Sequence, residues 1–129
     1  MTRIIAGAAK GRRLEIPSQG TRPTSDKVRG AIFSRLLGWG AVEDAHVLDL
    51  FAGSGALALE ALSRGAADAV AVEKSPAASA VVRKNAQSCG VQDVLTVATS
   101  DVTDYLKRAR PTREGLDLVF IDPPYSCTE

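Results

Sequence analysis

Two short stretches carry residues whose types and spacing could hold a nucleotide-like ligand and an amine side by side. The first is Gly53-Ser54-Gly55, entered from the apolar run Val47-Leu48-Asp49-Leu50-Phe51 and left through Ala56-Leu57-Ala58. Neither glycine has a Cβ, so the backbone can turn sharply there and come close to a ligand. Ala58 is small enough to let a following helix lie against the preceding strand. Read as Gly-x-Gly-x-x-Ala, this is the loose form of the dinucleotide-binding turn, and a strand-to-helix turn with no ligand is the plain alternative. Glu73 follows Gly53 by 20 residues. From that place a carboxylate accepts hydrogen bonds from both hydroxyls of an adenosine ribose. A surface pair with Lys74 is the competing reading. Asp49 stands alone as an acid in an apolar strand, and a buried carboxylate requires a partner. A ligand ammonium is one such partner and a backbone donor is another. Asp101 either reaches the amino group of an adenine or caps the helix that begins at Val102.

The second stretch is Asp122-Pro123-Pro124-Tyr125. Two consecutive prolines hold the loop extended and remove two N–H donors. The Asp122 carboxylate and the Pro123 carbonyl are then two acceptors held together, a match for a planar exocyclic NH₂ group. Accepting both of its hydrogens would draw the nitrogen lone pair out of conjugation and aim it at an electrophile. Tyr125 can stack on a base lifted from its helix. Alone, the tetrapeptide is equally a proline turn at a strand end.

These residues need a scaffold that brings strand ends together. Apolar runs at about 46–51, 69–72, 94–98 and 118–121 read as strands. Helices are predicted at about 55–64, at 76–89 with Ser75 as N-cap and Pro76 at the first helical position, and at about 102–109. Strands alternating with helices predict an α/β fold with a parallel sheet and right-handed crossovers. The glycine turn, Glu73, Asp101 and Asp122 would then meet at the carboxyl ends of the strands, where open sheets bind ligands.

Ahead of this region lies a basic arm. Residues 1–37 carry eight cations against two carboxylates, a net +6, and the remaining residues sum to −5. Arg3-Ile4-Ile5-Ala6-Gly7 and Arg12-Arg13-Leu14-Glu15-Ile16 predict a hairpin with Lys10, Arg12 and Arg13 near its tip. A helix follows from Thr24 or Ser25, with Val28, Ala31, Ile32 and Leu36 as its apolar face and Arg22, Lys27 and Arg29 off that face. A basic arm on an acidic body suits a polyanion such as nucleic acid. The sequence divides into residues 1–22 as that arm and 23–129 as the main domain.

The 129 residues fit one domain, with 45% apolar and 24% charged residues. No apolar run suffices for a bilayer span and no signal-peptide pattern is present, so the expected location is the cytoplasm. Cys89, Cys127 and the single histidine, His46, have no metal-ligand spacing; no metal site is expected and His46 reads as structural.

Taken in order, Arg3-Ile4-Ile5-Ala6-Gly7, Lys10-Gly11-Arg12-Arg13-Leu14, Thr21-Arg22-Pro23-Thr24-Ser25-Asp26, the segment 49–65 and Asp122-Pro123-Pro124-Tyr125 resemble the bacterial small-subunit rRNA guanine-N2 methyltransferases of the RsmD type. The resemblance covers essentially the whole chain. It implies a Rossmann-like S-adenosylmethionine-dependent methyltransferase fold and methylation of the N2 amine of guanine 966 in 16S rRNA. It implies that S-adenosyl-L-methionine is held by the glycine turn and Glu73. The candidate cofactor residues are therefore Asp49, Phe51, Ala52, Gly53, Ser54, Gly55, Glu73, Lys74, Asp101 and Val102. Asp122, Pro123, Pro124 and Tyr125 would hold the guanine. Arg3, Lys10, Arg12, Arg13, Arg22, Lys27 and Arg29 would contact RNA, within the assembled small subunit. A monomer is expected.

The sequence departs from this pattern in two places. Gly30 stands where Glu is usual and Lys27 where Arg is usual. The chain also stops four residues after Tyr125, whereas the family continues with further strands, so the C-terminal part of the sheet is expected to be missing here. Three rivals remain at this level: a nicotinamide-dependent oxidoreductase, an adenine-N6 methyltransferase, and an RNA-binding module without activity.

Overall fold

The structure, a computed structural model, describes residues 2–17, 25–108 and 115–123. Arg22, Pro124, Tyr125 and Cys127 lie outside the described residues. The first helix, α1 (Asp26–Gly38), precedes β1 (His46–Asp49), α2 (Ala56–Ser63), β2 (Asp68–Glu73), α3 (Pro76–Ser88), β3 (Leu95–Thr99), α4 (Val102–Arg108) and β4 (Leu118–Phe120). The four strands form one parallel sheet in the order β3-β2-β1-β4. Ser25 caps α1 through a bond from the Val28 N–H (3.1 Å), and Ser75 caps α3 through one from Ala78 (3.2 Å), as the sequence predicts.

Side chains alternate across the sheet. Val47, Ala69, Ala71, Leu95 and Phe120 join the main core with α2 and α3. Leu48, Leu50 and Val72 form a smaller cluster with Phe51, Val102 and Tyr105, on the face that carries α4. Every residue of α2 is buried.

The N-terminal arm forms a tight antiparallel loop with one β-bridge, Arg3 to Arg13, rather than the longer hairpin read from its sequence. Its Ile4, Ala9 and Leu14 are buried in the main core. The arm is therefore fastened to the sheet layer along α2. Ser63 accepts from the Ala8 N–H with its carbonyl (2.8 Å) and from the Ala9 N–H with its hydroxyl (2.9 Å), and that hydroxyl donates to the Ala6 carbonyl (2.6 Å). Gly7 makes this contact possible. Its φ is +92°, and an added Cβ would fall 1.9 Å from the Ser63 carbonyl oxygen. Gly7→Ala is expected to destabilise the fold by about 2 kcal/mol or more through strain and displacement of the arm; urea denaturation followed by circular dichroism measures it.

The face of α1 is a correction. Of the four residues read as its apolar face, Val28, Ala31 and Ile32 are exposed and only Leu36 packs on the core, while Arg29 and Phe33 are fully buried. Phe33 packs on Phe120 of β4 with ring centroids 5.5 Å apart. Arg29 is fully buried: its Nε donates to Glu60 Oε1 (3.3 Å), and its Nη2 donates to Asp26 Oδ1 (2.8 Å) and to the Arg3 carbonyl. Arg29 thus cannot lie on the RNA-facing surface where sequence reading placed it. A guanidinium tolerates burial when carboxylates and carbonyls saturate its fork, and here they come from α1, α2 and the arm.

Candidate functional site

Apolar β1 is centred in the sheet and ends at Asp49, with the chain turning immediately after it. The Leu50 N–H donates to the Phe120 carbonyl (3.0 Å) and the Ala52 N–H to the Val72 carbonyl (3.1 Å). The turn is thereby tied to the ends of both neighbouring strands. Gly53 and Gly55 have φ of +57° and +84°. Gly55 is the N-cap of α2, and a Cβ there would meet Val82 Cγ1 at 3.0 Å. The two glycines are thus required by the left-handed backbone, and at Gly55 also by the closeness of α3. Ala58 is fully buried, as its place against the strand demands.

Glu73 ends β2 and points at this turn. Its Oε1 accepts from the Gly53 N–H (2.9 Å) and its Oε2 from the Ser75 N–H (3.1 Å). The carboxylate is held rigidly at the strand end, with lone pairs left for further donors. Lys74 is exposed. Asp101 caps α4, accepting with Oδ1 from the Thr103 (2.8 Å) and Asp104 (3.3 Å) N–H groups. That is the capping half of its two readings. Val102 packs with the cluster of Leu48, Leu50 and Val72.

Asp49 is the unusual group. It is fully buried, and neither carboxylate oxygen has a hydrogen-bond partner among the described residues. Burial pushes its pKa up to about 7; the backbone N–H dipoles of Ala58 and Phe51 offset this in part, and the carboxylates of Asp122 and Glu73 push it higher. A carboxyl that ionises near 7 when folded but near 3.8 when unfolded holds an extra proton in the folded state across that interval. The contribution of Asp49 to stability is therefore fully present below about pH 4 and is lost as pH rises to about 7, by an amount on the order of 4 kcal/mol. Asp49→Asn should erase that slope, matching the parent near pH 4 and exceeding it at pH 8; urea midpoints across the pH range measure this.

Asp122 reaches the same end of the sheet. Phe120 is paired with Asp49 in register, and Asp122 lies two residues beyond it, near enough for its charge to act on Asp49. The structure therefore brings together the glycine turn, Glu73, Asp49 and Asp122, while Asp101 stands at the next strand end. Three carboxylates thus stand around one turn, and among the described residues no hydrogen-bond donor is placed on the Asp49 oxygens.

Among the described residues, the exposed cations of the arm are Arg3, Lys10, Arg12 and Arg13, with Lys27 at the start of α1. His46 fulfils the structural reading, with Nδ1 2.9 Å from Asp68 Oδ1. A surface depression of about 230 Å³ lies elsewhere, between α3 and β3, lined by Arg83, Gln87, Gln92 and Leu95 among others. Among the described residues no cluster could hold a metal ion, and no helix is long and apolar enough to cross a membrane.

Sequence reading missed two side chains that organise this region, Glu60 and Asn85. Each is a polar residue with a larger side chain on a buried helix face made mainly of alanine, leucine and valine, and that mismatch is the signal that could have found them.

The family model described as Conserved hypothetical protein 95 matches residues 2–129. Ribosomal RNA small subunit methyltransferase D of Escherichia coli K12 is 40% identical over 124 residues, covering 95% of this chain and 60% of that protein. The protein of the same name from Haemophilus influenzae is 36% identical, covering 95% of this chain and 63% of its own length. The chain thus spans about three fifths of these relatives. Among solved structures, Escherichia coli yhhF superposes with a TM-score of 0.82 at 39% identity, over 96% of this chain and 64% of that one. An RNA methyltransferase from Salinibacter ruber, solved in complex with S-adenosyl-L-homocysteine, gives 0.55 at 28% identity, over 64% and 52%.

Proposed function

The chain belongs to the Conserved hypothetical protein 95 family, that of the small-subunit rRNA methyltransferases D, and has the Rossmann-like methyltransferase fold; from that premise we propose that the protein methylates the N2 amine of a guanine, guanine 966, in 16S rRNA. The observation that carries the proposal is the meeting of Glu73, Asp49 and Asp122 at one end of the sheet beside the glycine turn. A small-subunit rRNA substrate and an S-adenosylmethionine-type cofactor agree with the relatives' names and with the Salinibacter complex.

Glu73 would hold the ribose hydroxyls, and the glycine turn would let the backbone come close to the cofactor beside it. Asp49 would face the ligand's ammonium. S-adenosyl-L-methionine supplies a methyl on a sulfonium, already activated, so the protein contributes position and electrostatics. Asp122 and the Pro123 carbonyl would accept the two amine hydrogens and point the nitrogen lone pair toward the methyl, and Tyr125 would stack on the guanine. The amine proton would leave after transfer, and the Asp122 carboxylate would be a base able to accept it. This reading needs no nucleophilic side chain, in keeping with a chain holding one histidine and two cysteines. The protein would act as a cytoplasmic monomer on the assembled subunit. Incubation of the chain with methyl-labelled cofactor and unmethylated small subunits, followed by nucleoside analysis, tests the assignment. N2-methylguanosine supports it; N6-methyladenosine overturns it.

The arm would bind RNA phosphates through Arg3, Lys10, Arg12, Arg13, Arg22 and Lys27. Each phosphate contact contributes a slope of about −0.7 to −0.9 to the log–log dependence of affinity on salt. Replacing Arg12 and Arg13 together by Gln should weaken RNA binding and make that slope shallower by about two, as measured by filter binding over a salt series. Cofactor affinity should not change.

A further inference from the structure

Asn85 lies on α3 and is almost wholly buried. Its side-chain amide is shared by two places that sequence separates by about forty residues. Its Nδ2 donates to the Ser54 carbonyl (2.9 Å), inside the glycine turn, and to the Glu15 carbonyl (3.0 Å), on the returning limb of the basic arm. Its Oδ1 accepts from the Glu15 N–H (2.8 Å). Both amide hydrogens and the oxygen are engaged, and the orientation is fixed, because only the NH₂ end can face two carbonyls. No other described side chain hydrogen-bonds the turn and the arm together. Glu60 and Ser63 grip the arm at residues 5–9, away from the glycines.

We propose that Asn85 is a positioning residue that couples the cofactor turn to the RNA-contacting arm, so that each ligand, once bound, favours the other. Ordering the turn around a ligand fixes the Ser54 carbonyl. That restraint passes through the amide, already held in one orientation, to the Glu15 backbone two residues after Arg13. The ordering entropy common to both sites is spent once for two ligands, which is positive coupling without any large movement. The identity of the two ligands rests on the function proposed above; the physical link between turn and arm does not.

Two measurements on the full chain test it. Hydrogen exchange of the free protein compares the parent with Asn85→Ala and with Lys84→Ala. Lys84 is the control: its Nζ pairs with Glu15 Oε2 (2.7 Å), an exposed contact that touches the arm alone. Asn85→Ala should speed exchange about tenfold in both residues 12–16 and 51–56, and leave residues 4–9 at the parent rate. Lys84→Ala should leave residues 51–56 unchanged. The second measurement is the affinity for S-adenosylhomocysteine with and without a saturating 16S rRNA fragment. The parent should bind about fivefold or more tightly with RNA present, Lys84→Ala should do the same, and in Asn85→Ala the ratio should fall to near one. If exchange rises only in the arm, or the ratio survives Asn85→Ala, or the parent binds both ligands with a ratio of one, the coupling is refuted. If the parent binds neither ligand, the proposed function fails, and the exchange data alone decide whether Asn85 links turn and arm.

Discussion

Asp122→Ala is expected to lower methyl transfer about 10²–10³-fold while leaving S-adenosylhomocysteine affinity within about threefold of the parent. In the proposed reaction the carboxylate acts on the acceptor amine, so its interaction is made as the nitrogen lone pair is released and not when cofactor binds. Removing one preorganised polar group of this kind costs about 2.7–4 kcal/mol of transition-state stabilisation. Asp122 lies beyond Phe120, whose register with Asp49 puts the following residues next to the glycine turn. Asp122→Asn keeps one acceptor oxygen and should lose less. Single-turnover kinetics with labelled cofactor separate the chemical step from binding. Full activity in Asp122→Ala would remove the residue from the mechanism.

Glu60→Ala should be the most destabilising substitution on the arm–α2 interface. Glu60 is fully buried between two guanidinium groups, Arg29 Nε at 3.3 Å and Arg64 Nε at 2.8 Å. It also accepts from the Ile5 (3.0 Å) and Ala6 (3.1 Å) N–H groups. Its removal takes a carboxylate from the buried Arg29 guanidinium and orphans two backbone donors. Breaking a buried pair in this way costs about 3–5 kcal/mol, and each unsatisfied donor adds about 1–3 kcal/mol. A domain of this size has about 5–15 kcal/mol in total, so the variant should be largely unfolded at 37 °C. Arg64 would also lose a partner that steadies its stacking on Phe33, 5.1 Å from the ring centroid. A loss below about 1 kcal/mol by urea denaturation would show that the network is not what fastens the arm.

What the sequence revealed, and what it concealed, follows from the range of the interactions. The strand, glycine turn and helix around residues 47–63 are set by local pattern, and so are the caps at Ser25 and Ser75; their positions agree with the structure to within two residues. The convergence of Glu73 and Asp122 on the turn was legible because parallel topology sends every strand end to one side. The face of α1 was not. Val28, Ala31 and Ile32 have the right spacing for an apolar stripe, yet Arg29 and Phe33 are inside. The partners that reverse this choice, Glu60 and Phe120, lie 31 and 87 residues away along the chain, beyond the reach of any periodicity. The same distance effect hid Asn85. In α3 it reads as an ordinary polar residue until Glu15 and Ser54 are seen on either side of it. Asp101 had two local readings, and the structure shows the cap because Thr103 and Asp104 supply donors within one turn.

The proposed methyl transfer requires a ligand seated between the glycine turn, Glu73 and Asp49, with Asp122 beside it. Titration of the ¹⁵N-labelled chain with S-adenosylhomocysteine, followed by amide chemical shifts, reports this directly. The largest shifts are expected at residues 50–55, at 73–75 and at 121–122, strengthening as pH rises through 7 and Asp49 ionises. Shifts confined to the depression lined by Arg83, Gln87 and Gln92, or spread with no preference for the strand ends, would contradict it.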